Sequence, residues 1–212
     1  MRIRSKQLIV AVALLGTNSV YAATLDWSTV SLTGAFPEYS LTNATLGDIT
    51  ISYSIDTEFS GLTNVFPSRA LAFGDTGGET LAFSWSNPVE SMNIQFWDLD
   101  ANPGTLGESL TFTTTAGVSL VSLGSTDLWN AGTETLSSDG SQDANGQLDN
   151  FSILNFSNPS GFSEIVFNWS IDSGVGSTGI GNITVVPLPA AFWLFGSGLI
   201  GLAGMAKLRR KK

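Results

Sequence analysis

Apolar and polar residues alternate with a period of two through the middle of the chain. The alternation is clearest in residues 49–55, 81–85 and 165–171, where every second residue is a large apolar one. A period of two places alternate side chains on opposite faces of an extended backbone. Each of these segments is therefore predicted to be a β-strand with one buried face.

Turn-forming Gly, Asn, Asp, Ser and Pro residues separate these strands from further candidates, and no interior window has a helical period. Short strands with one apolar face each must bury those faces against one another. Residues 23–185 are therefore predicted to form an antiparallel all-β domain, a two-sheet sandwich or jelly roll. The further candidate strands are Leu25–Leu32, Met92–Leu99, Ser109–Thr114, Val118–Leu123, Phe151–Phe156 and Ile180–Val185.

A short turn sequence occurs twice, as Ser86-Asn87-Pro88 and as Ser157-Asn158-Pro159. Each precedes an alternating segment, over 92–100 and 165–172, that ends in Leu or Ile followed by Asp. Two interpretations stay open. The segments are either a duplicated pair of sheet-edge hairpins or two independent uses of the same turn chemistry.

The chain contains neither cysteine nor histidine. Without cysteine, disulfides and thiol catalysis are excluded. Without histidine, the Ser-His-Asp and Cys-His relays and all imidazole metal sites are excluded as well. Most classes of hydrolase and of zinc protein are therefore ruled out.

Charge is segregated along the chain. All eighteen acidic residues lie between Asp26 and Asp172, a region in which Arg69 is the single basic residue. The other basic residues lie in the first six and the last six positions. Because such an acidic body repels phosphate backbones, nucleic-acid binding is not expected.

Residues 1–22 have the layout of a secretory signal peptide. A basic head is followed by the apolar run Leu8–Gly16 and by Val20-Tyr21-Ala22, which has small residues at the two cleavage-determining positions. The apolar run would rise only about 13 Å as a helix, against roughly 30 Å of hydrocarbon, which disfavours an uncleaved membrane anchor. Export is therefore predicted, with cleavage after Ala22.

Residues 186–212 consist of a proline-containing motif, a charge-free stretch that ends at Ala206, and a basic tail. The stretch predicts one transmembrane helix over about residues 188–206. The positive-inside rule holds the tail in the cytoplasm, so the acidic domain is expected outside. The motif is Val186, Pro187, Leu188, Pro189 and Ala190, and the basic residues of the tail are Lys207, Arg209, Arg210, Lys211 and Lys212.

Motif, span and basic tail together resemble the PEP-CTERM class of sorting signals, in its VPLPA-CTERM variant. The resemblance continues through 192–199 and covers the last 27 residues, with Leu188 in the place of the glutamate of the Pro-Glu-Pro form. It implies processing in a Gram-negative envelope by an exosortase, an integral-membrane cysteine transpeptidase-like enzyme. It also implies association with exopolysaccharide and biofilm matrix. A plain transmembrane anchor is the alternative.

Two acidic segments carry oxygen-bearing side chains at every second position, although neither matches an EF-hand loop. Calcium prefers about six to eight such oxygens, and a bound cation would relieve the repulsion among the carboxylates. Calcium is therefore a predicted ligand, with solvated turns as the alternative. The candidate ligands are Asp98, Asp100, Asn102, Asp139, Asp143 and Asn145, with Glu108 as a further contributor.

Two tryptophans point to carbohydrate binding. If the apolar residues of 92–96 face the core, Trp97 must lie on the opposite face, beside Asp98. An exposed indole next to carboxylate and amide groups suits a sugar ring, and Trp129 is a second candidate. Two other tryptophans keep the phase of their apolar neighbours and are predicted to lie in the core: Trp85 and Trp169.

These features predict a non-enzymatic, exported protein of the cell envelope or extracellular matrix, with a structural or adhesive role. Its expected partners are the membrane, an exosortase and exopolysaccharide. Two alternatives stay open, a calcium-assisted carbohydrate-binding module and a carboxylate-based glycan hydrolase. The acids supply many carboxylate pairs, but none has an apolar setting that would raise one pKa.

Overall fold

The computed structural model describes residues 22–55, 61–63, 70–74, 78–97, 99, 107–139, 151–171 and 178–186. Within these ranges the chain forms thirteen β-strands and a one-turn 3-10 helix, Trp27–Thr29. All the strand pairings among them are antiparallel. The predicted all-β antiparallel class is therefore confirmed.

The strands are given in chain order. They are β1 (Ala23–Leu25), β2 (Thr33–Ala35), β3 (Glu38–Asn43), β4 (Gly47–Tyr53), β5 (Gly61–Thr63), β6 (Ala70–Phe73), β7 (Thr80–Trp97), β8 (Glu108–Thr114), β9 (Gly117–Ser122), β10 (Asp127–Asn130), β11 (Thr135–Ser138), β12 (Phe151–Ile171) and β13 (Thr178–Val185).

The two longest strands, β7 and β12, form the centre of the sheet. They pair from Trp97 opposite Phe151 to Thr80 opposite Asn168. Each pairs with different strands along its two halves, β7 with β4 and then β13, and β12 with β9 and then β8. β3 and β2 continue from β4, β11 and β10 from β8, and β6 and β5 from β13.

The two Ser-Asn-Pro sequences lie inside β7 and β12, so the prediction that they are turns between strands is wrong. The β7–β12 register shifts where they face each other, between Ser157 and Glu164 on β12. Proline has no N–H to donate to a ladder, which confines it to such irregular positions. Neighbouring amides supply other hydrogen bonds, since Asn87 Nδ2 donates to Thr45 O at 3.3 Å and Asn158 Nδ2 to Thr115 O at 3.0 Å. Each long strand therefore bends here and changes neighbours.

Buried side chains from both halves of the long strands belong to one hydrophobic core. The rings of Phe96 and Phe112 lie 5.5 Å apart, and those of Phe112 and Phe156 lie 5.4 Å apart. Phe96 and Phe156 belong to the halves that pair with β13 and β9, whereas Phe112 lies in β8, which pairs with the other half of β12. The predicted core positions of Trp85 and Trp169 are confirmed.

One predicted strand, Leu25–Leu32, is wrong beyond its first residue. β1 ends at Leu25 and the 3-10 turn follows. The Asp26 side chain accepts a hydrogen bond from Ser28 N–H at 2.8 Å, and Thr29 Oγ1 donates to Asp26 O at 2.8 Å. These local bonds compete with the ladder, which is the usual effect of Asp, Ser and Thr on backbone structure.

Candidate functional site

The first and the last described strands pair with each other. β1 runs antiparallel to the end of β13, with Ala23 opposite Val185. The chain leaves β13 at Val186, whose backbone N–H donates to Ser91 O at 2.9 Å. The residue after the predicted signal-peptide cleavage site therefore lies beside the residue that precedes the predicted sorting motif.

The remaining parts of both predicted sorting segments lie outside the described residues. This holds for residues 1–21 and for the predicted transmembrane helix over 188–206. Over the part of the chain that the structure describes, no helix is long and apolar enough to cross a membrane. The described residues also do not include most of the predicted motif or the basic residues of the tail: Pro187, Leu188, Pro189, Ala190, Lys207, Arg209, Arg210, Lys211 and Lys212.

The segment that begins at Ala23 is firmly attached to β13. Leu25 and Trp27 are buried in the core, and Trp27 Nε1 donates to Gly181 O at 2.7 Å. Next to them, Asp26 accepts hydrogen bonds from the side chain of Ser28 and from its backbone N–H. These bonds hold the pKa of Asp26 below its ordinary value of 3.8. Backbone pairing, burial and hydrogen bonds thus all fix the N-terminal strand.

A polar cluster holds the point at which the chain leaves β13. Asn155 Nδ2 lies 2.9 Å from Ser91 Oγ and 2.8 Å from Asn93 Oδ1, and it donates to both. Asn93 in turn lies opposite Thr184 in the β7–β13 register. The exit of the chain toward the predicted motif is therefore braced from β7 and β12.

Most of the predicted calcium ligands lie outside the described residues: Asp98, Asp100, Asn102, Asp143 and Asn145. Asp139 is described, is exposed, and donates its backbone N–H to Thr126 O at 2.7 Å. Among the described side chains, no group of three or more His, Cys, Asp or Glu residues is placed to hold a metal ion. The calcium site stays a prediction.

The described residues that flank the two acidic segments adjoin one another at both ends. Trp97, which precedes the first segment, pairs with Phe151, which follows the second. Gly107 follows the first segment and lies against Ser138, because a Cβ on Gly107 would be 3.0 Å from the Ser138 Cβ. Asp139 comes directly after Ser138. The sequence held no sign of this proximity, since the segments are separated by more than thirty residues.

Two carboxylates beside these flanking residues are buried, Glu108 at 3% and Asp127 at 5% exposure. Asp127 lies opposite Ser138, and the β8–β11 register pairs the neighbouring Ser137 with Ser109, the residue after Glu108. The Ser152 hydroxyl donates to Asp127 Oδ2 at 2.5 Å and accepts from Gly124 N–H at 3.0 Å. Both carboxylates are thus enclosed within the fold and do not lie on its surface.

The burial of Asp127 was not predicted from the sequence. The alternation of the strand could have indicated it. Asp127 and the half-buried Trp129 are two residues apart, so both side chains lie on the inward face of β10. A third buried carboxylate, Glu79, accepts a hydrogen bond from Gly74 N–H at 2.5 Å. Charge alone therefore does not identify which of the eighteen acids are exposed.

The expectation that Trp97 is exposed is wrong. Trp97 does lie apart from the core that contains Phe96, but its side chain is only 6% exposed. Its ring packs 4.8 Å from that of Phe151 and forms a small cluster with Ala70 and Ala72 of β6. The alternation indicated the face correctly. It could not show that β6 and β12 cover that face.

Trp129 is half-buried. Its ring lies 6.2 Å from that of Phe112, while the preceding Leu128 points outward and is exposed. Part of the indole is therefore accessible from outside. Carbohydrate binding at Trp129 stays a prediction.

Comparisons with protein-family models, with curated proteins and with solved structures found no match for this chain.

Proposed function

We propose that the chain is an exported, non-enzymatic protein of the cell envelope or extracellular matrix, with a structural or adhesive role. A signal peptide is removed after Ala22, and an exosortase recognises Val186-Pro187-Leu188-Pro189-Ala190 while the following helix crosses the membrane. The β-domain remains outside, in contact with exopolysaccharide. This assignment combines the sorting-signal resemblance with the position of the first and last strands.

The observation that carries the proposal is the pairing of Ala23 with Val185. A cut after Ala22 leaves β1 whole, and a cut beyond Val186 leaves β13 and its bond to Ser91 whole. Neither cut removes a paired strand or a buried side chain of the described domain. Processing at both ends is thus compatible with an unchanged fold, which is what a sorted precursor requires.

For the architecture, we propose a two-sheet sandwich. β2, β3 and β4, together with β8, β11 and β10, flank one half of the β7–β12 pair. β9 and β13, with β6, β5 and β1, flank the other half. The bends at the Ser-Asn-Pro sequences separate the halves, and strands commonly change sheets at such bends. The Phe96–Phe112 and Phe112–Phe156 ring contacts support packing of one half on the other.

Mass spectrometry of the C-terminal peptide tests the sorting step. The protein is purified from the envelope and medium of a host that carries the matching exosortase. We expect the wild-type peptide to end near the motif. A variant with Pro187→Ala and Pro189→Ala, which adds no charge to the predicted span and leaves the basic tail unchanged, should retain the peptide through Lys212. Retention of Lys212 in the wild-type protein would instead favour a plain membrane anchor.

A calcium-assisted carbohydrate-binding module is a second candidate. It is favoured by the proximity of the residues that flank both acidic segments, Trp97 with Phe151 and Gly107 with Ser138. Under this proposal Trp129 contacts the sugar, because its ring is partly accessible. Trp129 lies on β10, the strand that starts at the buried Asp127.

The test is binding to a panel of matrix polysaccharides with calcium and with chelator. Trp129→Ala should abolish binding, whereas Leu128→Ala, a neighbouring exposed position whose side chain points to the opposite face, should preserve it. Binding that survives both Trp129→Ala and chelator would remove this candidate without affecting the sorting proposal.

A further inference from the structure

β9 lies at an edge of the sheet. In the described part of the chain it pairs on one side only, with residues Ile153–Ser157 of β12. Its apolar side chains are unusually accessible, with Leu120 at 40% and Val121 at 53% exposure, and Leu123 just beyond it at 43%. An unpaired strand edge presents free backbone N–H and C=O groups, which are a template for another strand.

The usual protections of a strand edge are missing from β9. No charged residue lies between Glu108 and Asp127, and no proline lies between Pro103 and Pro159. By contrast, the edge strand β2 has Pro37 two residues beyond its end at Ala35. Charged residues and prolines are the common means of blocking association at an edge.

A register shift restricts the regular part of this edge. Gly117–Leu120 pair in register with β12, and the shift that follows leaves Val121 as the extra residue of a bulge. A bulge bends its strand and re-aims the side chains around it. The surface available for pairing is thus the backbone edge of Gly117–Leu120, bordered by the outward side chains of Val121 and Leu123.

We propose that β9 pairs antiparallel with β9 of a second copy of this chain, about a two-fold axis near Ser119. The charge distribution restricts where two copies can meet. Two copies with eighteen acids each repel one another over most of their surfaces, and Glu108 and Asp127 bound a stretch that carries no charge. An uncharged partner edge meets no repulsion there, and an identical edge repeats the same apolar residues on the same side, as an isologous contact requires.

This pairing does not depend on the proposed sorting. For a protein held in the extracellular matrix, it would link domains in pairs through a continuous sheet.

The absence of cysteine from the chain allows a direct test by single-cysteine cross-linking. Ser119→Cys is placed in the full-length chain and oxidised with copper phenanthroline in whole-cell lysates of the host. Ser160→Cys, at an exposed position in the bend of β12, is the matched control. We expect Ser119→Cys to give a disulfide-linked dimer on non-reducing gels and Ser160→Cys to give at least tenfold less. Equal yields from the two variants would overturn the proposal.

A second pair of variants tests the role of the apolar border. Leu120→Glu with Val121→Glu, added to Ser119→Cys, places four like charges at the contact and should reduce the dimer at least tenfold. Leu128→Glu adds a charge at a residue as exposed as Val121 but on β10, and the dimer should persist. Persistence of the dimer in the β9 double variant, with the fold confirmed by circular dichroism, would likewise overturn the proposal.

Discussion

Gly181 is the residue that allows the Trp97 indole to lie against β13. A Cβ at this position would be 2.2 Å from Trp97 Nε1 and 2.7 Å from its Cδ1. The indole is held by Phe151 on another strand, so it has little freedom to withdraw. The close approach of side chain and backbone is therefore possible only at glycine.

Gly181→Ala is expected to destabilise the fold by about 1–3 kcal/mol, the typical cost of overpacking. Denaturant unfolding measures the change. Gly132→Ala is the control, because a Cβ there would lie 3.4 Å from Asn130 Oδ1, an ordinary contact. Equal midpoints for the two variants would contradict the packing described for Trp97.

Asp26 contributes a pH-dependent term to stability. Its folded pKa is depressed by the hydrogen bonds from Ser28, relative to an ordinary value of 3.8. A depressed carboxyl pKa stabilises the fold above the unfolded value, and the contribution is lost as the pH falls through the folded value. The effect is small because Asp26 lies at the surface.

We therefore expect Asp26→Ala to lower the unfolding midpoint at pH 7, with a difference from wild type that shrinks as the pH falls below 3.8. Asp26→Asn keeps an oxygen that can accept the Ser28 bonds but does not titrate. Urea unfolding of the three proteins from pH 7 down to the acid limit gives the comparison. A difference for Asp26→Ala that does not change with pH would contradict this account.

At the scale of elements, the bend in β12 depends on Gly161. Its φ is +83°, a left-handed conformation that costs other residues about 1–2 kcal/mol. A Cβ there would also approach Pro88 Cβ to 3.3 Å, so the two bends are in contact. This residue joins the two halves of the longest strand.

Gly161→Ala is expected to lower the free energy of unfolding by about 1–2 kcal/mol. Gly161→Asn should cost less, because Asn adopts left-handed backbone conformations more readily. Thermal or urea unfolding of both variants measures the order. The reverse order, with Asn worse than Ala, would show that the contact with Pro88 and not the backbone angle dominates.

The strands were largely predictable and their connections were not. Alternation identified the buried faces of 81–85 and 165–169 because one side of each strand faces the core. The Ser-Asn-Pro sequences have the composition of turns, yet each lies inside a strand, because the bend is stabilised by the facing segment of the other long strand. Trp97 was misjudged for a related reason, since strands far away in sequence decide whether the second face of a strand is covered.

For the whole molecule, the acidic charge is the dominant electrostatic term. Eighteen acids and a single arginine between Asp26 and Asp172 make the folded state repel itself. Salt screens such repulsion, with a Debye length of about 10 Å at 0.1 M and about 3 Å at 1 M. The location of the charges was readable from sequence, whereas their burial was not.

Raising sodium chloride from low to about 0.5 M is therefore expected to raise the melting temperature by several degrees. Calcium chloride at the same ionic strength is the control that separates screening from binding. A larger increase with calcium would indicate a specific site, and a melting temperature that falls with sodium chloride would contradict the repulsion argument.

The pairing of Ala23 with Val185 places the start of the first strand next to the end of the last one. Ala23 and Val185 lie side by side, and β13 runs from Val185 back to Thr178 over eight residues, about 25 Å at the usual rise of a strand. Trp97 pairs with Gly179 near the far end of that strand. A label or fused domain at Ala23 would therefore lie beside the segment that follows Val185, whereas one placed next to Trp97 and Phe151 would lie near the other end of β13.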